Sequence, residues 1–168
     1  MTELLQLLAS GLTTGSIYGL VAVGFCMVYN TTEVINFAQG EFVMLGGMIA
    51  ATVAAGLGWP VPVALFAAVV LVTLVGLVAE RLTIGLSRKP ETLNLIIVTI
   101  GLAIVIKGVV MMTWGKFPKD LPAFSGETPF AVLGASITPQ ALWIVGIALL
   151  VMAGVGVFMR ASVLGTAM

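Results

Sequence analysis

The stretch Val34-Ile35-Asn36-Phe37-Ala38-Gln39-Gly40-Glu41-Phe42 decides how the rest of the chain is read. Apolar runs flank it on both sides. It carries two amides, Asn36 and Gln39, and with Glu33 just before it two carboxylates, Glu33 and Glu41. Polar groups set into so apolar a chain need a partner or a use, because lipid offers them no hydrogen bonds. Asn36 followed three residues on by Gln39 has the spacing of a capping box, which predicts a helix opening here at Phe37. The head of such a helix presents backbone N–H groups with no acceptor inside the helix. Its positive end favours the nearby carboxylate of Glu41.

Nearly everything outside this patch is lipid-soluble. The 168 residues are 60% hydrophobic and only 8% charged, with a mean hydropathy of +1.20. Soluble domains carry about 25% charged residues, and a soluble fold could not hide this much apolar surface. Lipid is therefore the solvent. The net charge of +0 argues against a nucleic-acid partner. One cysteine, Cys26, forms no disulfide within the chain, and the absence of histidine makes a zinc or haem site improbable. No cofactor is implied. The first residues contain Glu3 and no Lys or Arg before a long apolar run, so the N-terminus reads as a retained span and not as a signal peptide.

Working outward from the patch gives an all-α integral membrane protein of about five spans, with a polar helix break or re-entrant connection between the first two. The spans are expected at residues 4–29, 37–57, 62–79, 92–113 and 139–159, each long enough to cross a bilayer. The first span carries Gln6, Ser10, Thr13 and Thr14 on one face and Gly11, Gly15 and Gly19 on the neighbouring one. Glycines every four residues let helices approach closely in lipid. The polar stripe either packs or lines a path. Gly58-Trp59-Pro60 marks a turn with an interfacial aromatic. Residues 130–138 suggest a small hairpin around Gly134-Ala135. Thr138 as N-cap with Pro139 behind it opens the last span. Arg81, Arg88 and Lys89 make residues 80–91 the cytoplasmic loop, which places the N-terminus and residues 114–138 outside and Arg160 inside.

Catalytic signals are missing. No phosphate-binding G-x-x-x-x-G-K-[ST] loop, no nucleophile elbow and no histidine for a triad occur, so the chain is not expected to be an enzyme. Lys107 is the one charge well inside a predicted span. It either snorkels to the outer interface or pairs with a carboxylate or path. The residues nominated for a translocation path are Asn36, Gln39, Glu41, Thr13 and Lys107. The head of the second span, with its N–H groups in a dry bundle, would suit the anionic end of a substrate such as an amino-acid carboxylate.

The chain resembles the inner-membrane permease of branched-chain amino-acid ABC importers. The likeness lies in Gly15-Ser16-Ile17-Tyr18-Gly19-Leu20 and in the central patch continued through Val43-Met44-Leu45-Gly46. It extends over residues 95–108, Pro122, Phe124 and Leu133-Gly134, and over Ile137-Thr138-Pro139-Gln140 and residues 160–168. Urea and amide permeases are close relatives. The resemblance implies a second permease subunit, two cytoplasmic ATPase subunits and a periplasmic substrate-binding protein that meets residues 114–138. Many members carry histidine where this chain has Gln39, so no ionisable role is carried to that position. Family members run well beyond 168 residues, and the chain reads as the N-terminal part of a permease that stops at the approach to the coupling segment. The alternatives are a urea or short-amide permease, or a self-associating helical scaffold or channel built on the glycine face.

Overall fold

A computed structural model describes residues 2–83, 92–121, 126, 128–132 and 135–161. Arg88 and Lys89 of the basic loop, the turn at Leu133-Gly134 and residues 162–168 lie outside them. Five helices follow one another: α1 (Thr2–Thr32), α2 (Gln39–Ala51), α3 (Val61–Thr83), α4 (Thr92–Trp114) and α5 (Pro139–Ala161). All but α2 are long and apolar enough to cross a membrane. A π-helical segment, Thr52–Gly56, continues α2. A two-stranded antiparallel hairpin, β1 (Phe130–Val132) and β2 (Ala135–Ile137), pairs Phe130 with Ile137 and Val132 with Ala135.

Each boundary has a local cause. α1 ends where Glu33 takes a left-handed backbone, φ 53°. α4 stops at Gly115, φ 83°, whose N–H donates to the Met111 carbonyl at 3.1 Å. A left-handed glycine one residue past the helix is the commonest helix stop. Gly58, φ 66°, turns the chain from the π-helical segment toward α3. The Pro60 carbonyl accepts from Val63 and Ala64 and so starts α3. Thr138 accepts from Ala141 at the head of α5.

The chain divides into two compact units, Met1–Thr31 with Ala123–Met168, and Thr32–Pro122. Among the described residues, eight of the twelve buried hydrophobic positions are alanines: 38, 50, 51, 54, 64, 68, 79 and 148. Large side chains point outward, with Leu7 71%, Leu150 73% and Met112 89% exposed. In water this would be inside out. In lipid the tails are as apolar as leucine, so helices gain by close backbone approach over small residues and leave the large ones to the solvent.

In the second unit, α2 packs chiefly on α3 and then on α4. The core is Leu45, Ile106 and Val110, with Phe42, Met48, Val72, Leu102 and Trp114 around it. A Cβ built on Gly46 would touch Val72 Cγ2 at 3.6 Å. The indole N–H of Trp114 donates to Thr52 Oγ1 at 2.6 Å, tying the end of α4 to the first residue of the π-helical segment. In the first unit, the Gln6 carboxamide donates to the Ser136 carbonyl at 2.9 Å and accepts from its N–H at 2.8 Å. Gln6 thereby stands in for a third strand on the outer edge of β2.

Candidate functional site

The polar patch leads into the head of α2. Val34 N–H lies 3.3 Å from Thr32 Oγ1. Asn36 Oδ1 then accepts from the Ala38 N–H at 2.9 Å, and the Asn36 carbonyl accepts from the Gln39 N–H at 3.4 Å. Ala38, wholly buried, has its carbonyl bonded to the Glu41 and Phe42 amides at 3.0 and 3.1 Å. The helix proper starts at Gln39 with Ala38 as its N-cap, two residues later than the expected start at Phe37. Asn36 does not cap the helix as a capping box would: it stands two residues before the N-cap, and its side chain closes a turn on the Ala38 N–H. No side chain bonds back at the N-cap.

The head is held by α4. The Phe37 N–H points at Thr99 Oγ1, 3.4 Å away, and that hydroxyl donates to the Ile96 carbonyl at 2.9 Å. Thr99 stands seven residues in from Thr92, about 10 Å along α4 at helical rise. α2 therefore begins beside the body of a neighbouring helix and not at its end. A break of this kind is tolerated inside lipid only where protein groups satisfy the freed backbone.

That satisfaction corrects one expectation. The head does not offer a cluster of open N–H donors. The amides of Phe37, Ala38, Gln39, Glu41 and Phe42 all have protein acceptors. Among the described residues, the Gly40 N–H is the amide of this turn left without one. A Cβ built on Gly40 would meet nothing within 4 Å, so its backbone can be approached closely. Glu41 sits beside it in the first turn, half-buried. The first turn thus carries a carboxylate residue, Glu41, directly after Gly40 in the chain. No buried side-chain nitrogen or oxygen among the described residues lacks a partner.

The remaining nominated residues are described each within its own unit. Thr13 is in the other unit, half-buried, with its hydroxyl donating to the Ala9 carbonyl of its own helix at 2.9 Å. Ser16 does likewise to Leu12 at 2.7 Å. Gln6, read as part of the same polar stripe, is spent on Ser136. Of the three glycines, only Gly19 faces a neighbour, Met152 Sδ at 3.7 Å from a built Cβ, while Gly11 and Gly15 have open space. Lys107 is exposed and lies eight residues beyond Thr99, about 12 Å further along α4. Sequence reasoning missed Thr99 and Gly40. A lone threonine in an apolar helix and a glycine in a first turn carry no pattern that distinguishes them from packing residues.

Residues 7–168 match the family described as the branched-chain amino acid transport system, permease component. The chain is 34% identical over 180 aligned positions to the high-affinity branched-chain amino acid transport system permease protein LivH of Escherichia coli K12, an alignment covering 97% of this chain and 57% of LivH. It is 36% identical over 175 positions to the permease protein BraD of Pseudomonas aeruginosa, with the same coverage of each chain. It thus spans little more than half the length of the curated relatives it matches. No solved structure matches it.

Proposed function

The chain belongs to the branched-chain amino acid transport system permease family, and on that footing we propose that it forms part of the membrane path of an ABC importer for branched-chain amino acids. In this reading it is the transport subunit of the inner membrane, with its N-terminus on the periplasmic side. A second permease subunit completes the path, two cytoplasmic ATPase subunits hydrolyse the ATP, and a periplasmic binding protein delivers the substrate. The family match over residues 7–168 carries the reading. It favours transport over a self-associating scaffold.

The head of α2 is the proposed point of contact with substrate. An amino acid arrives as a zwitterion. Its carboxylate suits the Gly40 N–H at the positive end of a helix. Its ammonium suits the Glu41 carboxylate, since a charge-assisted hydrogen bond is roughly twice as strong as a neutral one. Asn36 and Thr99 act on the substrate only by holding the turn in place, and Gln39 lies on the same turn. Urea, the alternative substrate class, is neutral and has no ammonium for Glu41 to attract.

The test is uptake of labelled leucine and of labelled urea by a strain lacking its own permease, supplied with this gene and its partner ATPase, permease and binding-protein genes. Leucine uptake is expected. Glu41→Gln should lower it about tenfold, the worth of one charge-assisted bond of roughly 1.5 kcal/mol. Urea uptake without leucine uptake, or a Glu41→Gln variant as active as the parent on leucine, overturns the assignment.

A further inference from the structure

Two hydrogen bonds join the α2 segment to α4, and both have the same offset in sequence. At the head, the Phe37 N–H lies 3.4 Å from Thr99 Oγ1; at the far end, the Trp114 indole N–H donates to Thr52 Oγ1 at 2.6 Å; the partners are 62 residues apart in each. The two bonds are therefore separated by fifteen residues on either segment, about 22 Å at helical rise. An equal offset at both ends means that the two segments run parallel in one fixed register. Fifteen residues are also close to four turns, which puts both bonds on one side of α4. The packing between them agrees. Leu45 forms a core with Ile106 and Val110, which bracket the same offset.

Packing alone holds α2 loosely along this axis. Of its buried residues Leu45 alone is large, Ala50 and Ala51 being the others. The partly buried neighbours of that core on α2 include Met44 and Met48, whose unbranched side chains adapt readily to a shifted surface. The two hydrogen bonds are left to fix the height of α2 against α4, and they are unequal. The one at the head is long for an N–H···O pair, and the one at Trp114 is short. The firmer hold is thus the one farther from the polar turn. It is made at the residue where α2 gives way to the π-helical segment. There the Thr52 N–H is shared between the Ile49 and Met48 carbonyls, as amides are where a regular helix ends.

We propose that Trp114 and Thr52 are positioning residues for the head of α2. Their bond is the second rung of a clamp by which α4 sets the height of residues 36–41, from about 22 Å away. Its consequence for transport rests on the reading of that turn as the point of contact with substrate. The clamp itself does not.

Hydrogen exchange in the whole chain in nanodiscs tests the clamp, with leucine uptake measured alongside in the strain described above. Trp114→Phe and Thr52→Val each remove the far rung. Exchange at the Phe37 amide should quicken about fivefold in both, the effect of loosening one hydrogen bond, while amides in the middle of α3 keep the parent rate. Leucine uptake should fall by about the same factor. Thr52→Ser retains the hydroxyl and should restore both the parent exchange at Phe37 and the parent uptake. Unchanged exchange at Phe37 in both variants means that the head is held without the far rung, and overturns the proposal. Amides of α3 that quicken as much as Phe37 mean that the unit has only become less stable, and overturn it too. Quickened exchange at Phe37 with full leucine uptake upholds the clamp and removes the head of α2 from the substrate's path. Should Trp114→Phe fail to fold, Thr52→Val, which keeps the branched shape of the side chain, decides the matter alone.

Discussion

Replacing Asn36 with alanine tests how the head of α2 is held inside the bundle. The substitution removes the oxygen that accepts the Ala38 N–H at 2.9 Å and leaves the surrounding apolar contacts in place. Losing an N-cap acceptor in a water-soluble helix costs about 1 kcal/mol. Side-chain hydrogen bonds between membrane helices average only about 0.6 kcal/mol, because the unfolded chain in the bilayer finds other partners. Ala38 is 0% exposed, so in the folded chain neither water nor lipid can replace the lost acceptor. An amide stranded in this way costs about 1–3 kcal/mol. The expected loss is therefore about 1.5 kcal/mol, or roughly tenfold in the folding equilibrium. Asn36→Asp retains an acceptor at the positive end of the helix and should keep most of the stability. The assay is equilibrium unfolding in mixed micelles, with leucine uptake measured alongside. If Asn36→Ala unfolds within about 0.5 kcal/mol of the parent, the range of neutral surface changes, the hydrogen-bond argument is refuted. If Asn36→Asp is stable and transports normally, Asn36 acts through the turn and not on the substrate.

Three further outcomes follow from the same physics. Glu33→Gly should raise stability by about 1 kcal/mol in the same unfolding assay, because a left-handed backbone costs an L-residue about 1–2 kcal/mol and Glu33 has a φ of 53°; an unchanged or lower midpoint counts against strain there. Gln6→Ala takes both partners from the outer edge of Ser136, and hydrogen exchange at the Ser136 amide should quicken about tenfold; exchange at the parent rate would mean that the hairpin is held elsewhere. Trp114→Phe and Thr52→Val each remove the 2.6 Å bond between their side chains and should each cost about 1 kcal/mol. The double substitution should cost clearly less than the sum of the two, and full additivity in unfolding free energy would show that the bond contributes nothing.

Much of the fold was open to inspection in the chain itself. A helix of about 20 apolar residues crosses lipid whatever its neighbours, so α3, α4 and α5 announce themselves. The stops are also local, since Gly58 and Gly115 need only their own backbone freedom to turn the chain. The hairpin at Phe130–Ile137 could be read from alternation and a glycine. The candidate site was legible only in part. Asn36, Gln39 and Glu41 stood out because polar groups among apolar ones are conspicuous. Thr13 and Lys107 were nominated for the same path, but how residues distant in sequence stand to one another is a matter of packing and not of spacing along the chain. Thr13 is bonded to its own helix, and Lys107 is about 12 Å further along α4 than the head of α2.

Composition and periodicity were enough to settle the solvent, the helices and their turns, because transfer into lipid and backbone hydrogen bonding are properties of each segment taken alone. Which donors at the broken helix remain open was another matter. That depended on Thr99, sixty-two residues from Phe37, arriving within 3.4 Å of its amide, and on Asn36 turning back on its own chain. The bond between Trp114 and Thr52 has the same origin: it forms because folding brings the indole to that hydroxyl. A buried polar group is worth what its partner makes of it, and partners are chosen in three dimensions.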